Sequence, residues 1–103
     1  MAGDGVEPPA EIAVTREDVD RFLSRFTVVV TDPDGSSEHL VTLTGPDWAR
    51  LGRGYRSPEE LVRACFAFLL AREPRAAILG AFDVSEIGGY FPEFEEAIAR
   101  RPD

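Results

Sequence analysis

The sequence predicts a single α+β domain in which an antiparallel β-hairpin packs against a central amphipathic helix. Residues 26–44 contain two runs rich in β-branched residues on either side of a turn-forming segment, a pattern typical of a hairpin. Residues 57–73 begin with strong helix-start residues and continue with apolar residues at helical spacing. Because a lone hairpin is unstable in water, it needs helices or a second copy of the chain to cover it.

Length and charge exclude several classes of protein. The chain has 103 residues, enough for one small domain, and its seven Phe, two Tyr and one Trp exclude a wholly disordered protein. No apolar run approaches the roughly 20 residues of a membrane span, and the N-terminus carries acids and prolines where a signal peptide has basic and apolar residues. The formal charge of −8 opposes binding to nucleic acids and anionic membranes. The single cysteine fits a reducing cytoplasm, which is the predicted location.

The first 25 residues are predicted to hold a flexible arm and one short helix. Residues 1–10 are rich in Gly, Pro and acids and read as an arm ahead of a domain at 11–103. Thr15 is placed to cap a helix over residues 16–25. The apolar stripe of this helix is formed by Val19, Phe22, Leu23 and Phe26. Residues 12–14 are equally compatible with a short strand.

The predicted hairpin pairs the strands Phe26–Asp32 and Glu38–Thr44 across the polar segment Asp32–Ser37. We expect Leu40 to face the core, which places His39 on the solvent side. The first strand has no charge before Asp32 and no proline, so its edge is poorly defended against pairing with another strand. We therefore expect a homodimer with Val29 at the seam, unless residues 12–14 cover that edge within one chain.

The central helix has the strongest local signal in the chain. Ser57 is a capping residue, Pro58 suits the first helical position and Glu60 can close a capping box, and Pro74 ends the helix after Glu73. Short helices are predicted over residues 74–82 and 83–87, and a final helix begins at residues 90–93. The predicted core consists of Phe22, Phe26, Val28, Val30, Leu61, Cys65, Phe66, Phe68, Leu69, Ile78, Leu79 and Phe82.

No catalytic, metal or cofactor site is predicted. The only histidine, His39, is expected to face solvent, and the only cysteine, Cys65, lies on the apolar face of the central helix, so no nucleophile–base pair is expected. A zinc site needs about four ligands drawn mainly from these two residue types. No segment matches a nucleotide-binding motif. We therefore predict that the protein is not an enzyme and has no small-molecule substrate.

Two segments are candidates for contacts with a partner. Residues 52–57 combine two glycines, two arginines and the start of a helix, which can hold an anion or an acidic partner. The contact candidates in this loop are Arg53, Arg56 and Ser57. The second segment is rich in aromatic residues, which are enriched at protein interfaces but also suit a lid on the core. Its interface candidates are Tyr90, Phe91 and Phe94.

These features predict a protein that acts through protein–protein contacts, as an adaptor or a regulatory subunit. Its partner is predicted to be another protein or a second copy of the chain. The alternative is an antitoxin-like regulator that contacts nucleic acid or a toxin through residues 48–75. That segment holds six Arg and three acidic residues, while the rest of the chain is strongly acidic.

The segments SPEELV, FLLAREP, FDV and YFPEFE, in this order from Ser57 onwards, resemble a group of short bacterial proteins to which no activity is assigned. The resemblance implies no ligand and no catalytic residue. A hairpin followed by a helix that starts S/T-x-E-E is also similar, at the level of the fold, to HicB-like antitoxins. The FPDLPG-type strand motif of that family is absent from this sequence.

Overall fold

A computed structural model describes residues 10–100, which form a four-stranded mixed sheet with helices against one of its faces. The strands are β1 (Glu11–Asp20), β2 (Leu23–Asp32), β3 (Gly35–Thr44) and β4 (Ala81–Asp83). The helices are α1 (Gly45–Leu51), α2 (Pro58–Leu70), α3 (Ile87–Tyr90) and α4 (Phe94–Arg100), with 3-10 turns at Arg75–Ala77 and Val84–Glu86. Strands β1 to β3 are antiparallel neighbours, and β4 pairs in parallel with β3. The predicted α+β class is confirmed, whereas the predicted arm lies outside the described residues except for Ala10.

The helix predicted over residues 16–25 is wrong, because these residues form the end of β1, a turn and the start of β2. Two residues of the expected apolar stripe, Val19 and Phe22, are 44% and 67% exposed. Pairing along β2 outweighs the local helical spacing, and it also places Ile12 opposite Val30. Asp20 stabilises the turn by accepting hydrogen bonds from two following backbone N–H groups.

Strands β2 and β3 pair in antiparallel fashion, but the layout differs from the prediction. Asp32 lies opposite Gly35, so a turn of two residues replaces the longer loop. Gly35 has a φ of +142°, which glycine adopts at little cost. Because β2 lies between β1 and β3, its backbone offers no free edge for a dimer seam. The Val29 side chain lies half-buried on the sheet face opposite the helices.

Strand β3 presents the opposite face to the core from the one predicted. His39 is only 2% exposed and Leu40 is 44% exposed. Side chains alternate between the two faces of a strand, so His39 shares its face with Val41 and Leu43. Burying those two aliphatic side chains outweighs the exposure of Leu40.

Helix α2 forms the centre of the core, as its local signals predict. Ser57 Oγ accepts a hydrogen bond from the Glu60 backbone N–H, and the Glu60 carboxylate accepts one from the Arg56 backbone N–H. The helix ends at Leu70, three residues earlier than predicted. Its buried side chains are Leu61, Val62, Cys65, Phe66, Phe68 and Leu69. Of the predicted core, ten residues are buried, and Phe22 and Leu79 are wrong because both are exposed.

The C-terminal third contains one strand that the sequence analysis did not predict. The short helix expected over residues 74–82 is replaced by one 3-10 turn, an extended link over residues 78–80, and β4. The helical turn expected over residues 83–87 is present, and the final helix begins at Phe94. No helix within residues 10–100 is long and apolar enough to span a membrane.

Candidate functional site

A groove opens on the helical side of the molecule, between the end of α2, the link that leads into β4, and α3. We call it the C-terminal groove. Its floor is apolar and buried, and is formed by Leu69, Ile78, Phe82 and Ile87. Its volume is about 170 Å³. Sites for small molecules and cofactors are typically about 300–1,000 Å³, so the groove fits one or two side chains better than a cofactor.

Large side chains are exposed at the rim of the C-terminal groove. Tyr90 is 65% exposed and Leu79 is 49% exposed, and both line the cavity. Phe91 lines it as well, and its ring meets that of Phe68 edge-on at 5.8 Å between centroids. Phe94 also packs on Phe68 but is buried, so it belongs to the core and not to the exposed surface. Of the three aromatic interface candidates in the C-terminal segment, Tyr90 and Phe91 therefore lie at the groove.

The charged part of the groove lining consists of two carboxylates. Glu73 follows the end of α2, and Glu86 lies in the 3-10 turn before α3. Glu86 is held in place because its Oε2 accepts a hydrogen bond of 2.9 Å from the Asp83 backbone N–H, as part of a capping box. Among the residues that the structure describes, no Arg or His lines the cavity. The groove is therefore both apolar and negatively charged.

One wall of the groove is fixed to β3 by hydrogen bonds. His39 Nδ1 lies 2.7 Å from the carbonyl oxygen of Leu79, and the Leu40 backbone N–H donates to the Gly80 carbonyl at 2.8 Å. A carbonyl oxygen can only accept, so Nδ1 of the neutral imidazole carries the proton. The other ring nitrogen, Nε2, then accepts from the Ser37 hydroxyl at 2.8 Å. Two consecutive carbonyl groups of the wall are thus held by the sheet.

Ser37 and His39 form a hydroxyl–imidazole pair that the sequence analysis missed, because His39 was expected to face solvent. Such a pair is the basic unit of a nucleophile activated by a base. Neither residue lines the C-terminal groove. The imidazole packs against the Phe66 ring at 5.3 Å between centroids, and both of its nitrogens have partners within the chain.

An ion pair fixes the start of the link that forms the groove wall. Arg75 Nε donates to Asp32 Oδ2 at 3.0 Å, which ties the 3-10 turn to the end of β2. Partial burial opposes ionisation of Asp32. This effect is outweighed by the hydrogen bond from Arg75 and by hydrogen bonds from the backbone N–H groups of Asp34 and Gly35. The pKa of the Asp32 carboxyl is therefore lowered.

The glycines of the predicted anion-binding loop have structural roles. A Cβ atom at Gly52 would collide with the Trp48 ring, and Gly54 has a φ of +84°. Ser57 caps α2, and the Glu60 carboxylate already occupies the start of this helix. The side chains of Arg53 and Arg56 are exposed, but the backbone N–H of Arg56, a donor that an anion could use here, already donates to the Glu60 carboxylate.

Most arginines of residues 48–75 are engaged within the chain. The engaged residues are Arg50 with Asp47 and Glu95, Arg63 with the Ile12 carbonyl, Arg72 with Glu93, and Arg75 with Asp32. The guanidinium of Arg72 also lies over the Phe68 ring, 3.6 Å from its centroid. The three ion pairs with carboxylates, those of Arg50, Arg72 and Arg75, reduce the positive charge that the segment presents to a phosphate backbone.

The thiol of Cys65 lies in the core. Burial raises the pKa of Cys65 to about 12, so the group stays protonated at neutral pH. Within residues 10–100, no group of three or more His, Cys, Asp or Glu side chains is arranged to hold a metal ion.

Comparisons of the chain with protein-family models, with curated proteins and with solved structures found no match. The basis for assigning a function is therefore the chemistry of the chain's own side chains.

Proposed function

We propose that the chain is a protein-binding module, acting as an adaptor or a regulatory subunit, that takes a segment of a partner protein into the C-terminal groove. The observation that carries this proposal is an apolar cavity with two large exposed side chains, Tyr90 and Leu79, at its rim. Aromatic side chains are enriched among the residues that dominate binding energy at interfaces. A partner that covers this rim removes apolar surface from water.

The size of the groove supports a segment of a protein as the occupant. The cavity, about 170 Å³, admits one inserted side chain, while the rim offers surface for the residues on either side of it. A small molecule of cofactor size would leave most of its own surface in water.

The groove wall is organised before any partner arrives. Two adjacent residues of β3, His39 and Leu40, hold the link through bonds to the carbonyl groups of Leu79 and Gly80. The 3-10 turn before the link is tied to β2 by the bond from Arg75 to Asp32. A wall that is already ordered loses little conformational entropy on binding, which favours affinity at a small site.

We propose that the protein is not an enzyme. Support comes from the position of the Ser37–His39 pair outside the groove and from the protonated state of the Cys65 thiol. A fluorophosphonate probe, which labels activated serines, should leave the folded protein unlabelled. Labelling of Ser37 that disappears in His39→Ala, while that variant stays folded, would overturn this part of the proposal.

The alternative, a regulator that contacts nucleic acid through residues 48–75, has less support because four of the six arginines there are engaged within the chain. Self-association and a cytoplasmic location stay predictions. The mass in solution decides the first of these, because a monomer has a mass of 11.3 kDa and a dimer twice that.

A displayed library of random peptides tests the proposed function. Peptides selected on the wild-type chain should bind at least about tenfold more weakly to Tyr90→Ser and to Leu79→Ser, which corresponds to about 1.4 kcal/mol. Phe22→Ser is the matched control, because Phe22 is 67% exposed but lies at the β1–β2 turn, outside the groove. Equal loss of binding in the control, or selection of no peptide above background, would refute the proposal.

A further inference from the structure

We infer that the C-terminal groove selects partner segments in which the inserted apolar side chain has a basic residue, Lys or Arg, beside it. This inference rests on the proposed function and specifies the chemistry of the partner. It arises from the two carboxylates of the lining, Glu73 and Glu86, which stand next to an apolar floor.

The carboxylate of Glu73 is not neutralised by its basic neighbours in the sequence. Arg72 donates to Glu93 at 2.9 Å and lies over the Phe68 ring. Arg75 donates to Asp32 at 3.0 Å. Both guanidinium groups nearest to Glu73 along the chain are therefore directed to other acceptors, and Glu73 itself is one of the residues that line the cavity.

The second carboxylate is fixed in position. One oxygen of Glu86 accepts from the Asp83 backbone N–H, so the side chain has already lost much of its rotational freedom. A cation that reaches it avoids part of the entropy cost of ordering an ion pair at a surface. A charge-assisted hydrogen bond beside an apolar floor is also screened less than one in open water.

The charge of the whole molecule acts in the same direction. With a net charge of −8, the chain attracts basic segments over a distance and repels acidic ones. An acidic residue beside the anchor would meet two carboxylates in the groove, so the site also discriminates by repulsion. The chain's own residues 1–9 contain Asp4 and Glu7 and no basic residue, which makes them a poor occupant and favours a separate partner.

Three versions of one fluorescein-labelled peptide from the library test the inference. They keep the apolar anchor and carry Arg, Gln or Glu at the neighbouring position. We expect the Arg version to bind about tenfold more tightly than the Gln version at low salt, and the Glu version to bind most weakly. Raising the ionic strength to about 0.5 M should remove most of the difference in affinity between the Arg and Gln versions. The affinity of the Gln version should stay almost unchanged.

The double variant Glu73→Gln/Glu86→Gln removes both charges and keeps an amide oxygen that can accept from the Asp83 N–H. In this variant the ratio of the affinities of the Arg and Gln versions should fall close to one. The affinity of the Gln version itself should stay within about twofold of its value for the wild-type chain. Glu38→Gln, an exposed change on the opposite sheet face, is the matched control and should keep the preference.

The outcomes that would refute the preference for a basic residue differ from those that would refute peptide binding at the groove. An Arg preference that persists in the double variant, or that is absent from the wild type, overturns this inference and leaves the proposed function standing. Loss of binding of every version in Tyr90→Ser, together with loss of the Arg preference in the double variant, supports both. Failure of every peptide to bind the wild-type groove overturns both.

Discussion

His39 Nδ1 and the carbonyl oxygen of Leu79 are joined by a partly buried hydrogen bond of 2.7 Å between residues forty positions apart in the sequence. This bond connects the middle of the sheet to the wall of the C-terminal groove. The carbonyl can only accept, so Nδ1 carries a proton, and in the neutral imidazole the Ser37 hydroxyl donates to the other nitrogen. A polar side chain that is only 2% exposed is therefore satisfied at both of its nitrogens.

Replacing His39 should destabilise the fold. His39→Leu leaves the Leu79 carbonyl without its buried donor and removes the acceptor of Ser37, so we expect the free energy of unfolding to fall by about 2–3 kcal/mol. Urea denaturation followed by circular dichroism measures the change. Glu38→Leu, on the exposed side of the same strand, is the control and should stay within about 0.5 kcal/mol of wild type. Equal stability of the two variants would show that the buried bonds contribute nothing.

Truncation to Ala should lower the stability of the fold much more at Phe66 than at Phe22. Phe66 is fully buried on α2, so Phe66→Ala should cost about 3–5 kcal/mol through lost burial and the cavity that remains. Phe22 is two-thirds exposed at the β1–β2 turn, and Phe22→Ala should cost less than about 0.5 kcal/mol. Thermal and chemical denaturation of both variants decides the matter. A large loss in Phe22→Ala would mean that the N-terminal stripe is buried after all.

Helix α2 could be predicted because its determinants are local. Ser57, Pro58 and Glu60 specify the start of the helix within four residues, and Ser57 Oγ accepts from the Glu60 N–H as the sequence pattern requires. The Glu60 carboxylate reaches back as well, to the backbone N–H of Arg56, one residue before the cap. The apolar positions then follow at helical spacing, and all of the residues predicted on its core face are buried.

Strand β1 could not be predicted in the same way, because its partner decides its structure. The spacing of Val19, Phe22 and Phe26 fits a helix when each residue is considered with its neighbours only. Pairing of β1 along the whole length of β2 adds backbone hydrogen bonds that no local pattern reveals. On β3, Leu40 and Val41 are adjacent apolar residues, so the sequence does not determine which of them faces the core. The structure buries Val41 and exposes Leu40, which shifts the predicted pattern by one residue.

The candidate site also combines features that local sequence predicts with features that depend on distant contacts. The aromatic residues Tyr90 and Phe91 stood out in the sequence because they are close together. Leu79 was expected in the core, and Glu73 and Glu86 carried no signal, since the groove forms only when three separate segments converge. The role of His39 in holding the wall depends on a carbonyl group, which no sequence pattern identifies.

The thiol of Cys65 should react only when the chain opens. Burial raises its pKa to about 12, so almost no thiolate exists at pH 8 and reagents cannot reach the group. We expect iodoacetamide to modify the native protein slowly, and the rate to rise with urea as the core opens. A cysteine introduced at the exposed Ala67 of the same helix, in a Cys65→Ala background, is the control and should react at once. Equally fast labelling of native Cys65 would contradict its burial.

The ion pair of Asp32 and Arg75 should make stability depend on pH in the acid range. The pKa of Asp32 is lowered in the folded chain, whereas the unfolded chain has the ordinary value, near 3.8. As pH falls, the unfolded state therefore takes up the proton first, and the stability that the pair contributes above about pH 4 is lost as pH falls through the folded pKa.

Arg75→Met removes the guanidinium, so its stability should lie below that of wild type at neutral pH and approach it in acid. Arg100→Met, which breaks an exposed pair with Glu96 on α4, is the control and should change little at any pH. Urea unfolding at a series of pH values checks this, and stability curves of wild type and Arg75→Met that stay parallel down to about pH 2.5 would contradict a native ion pair at Asp32.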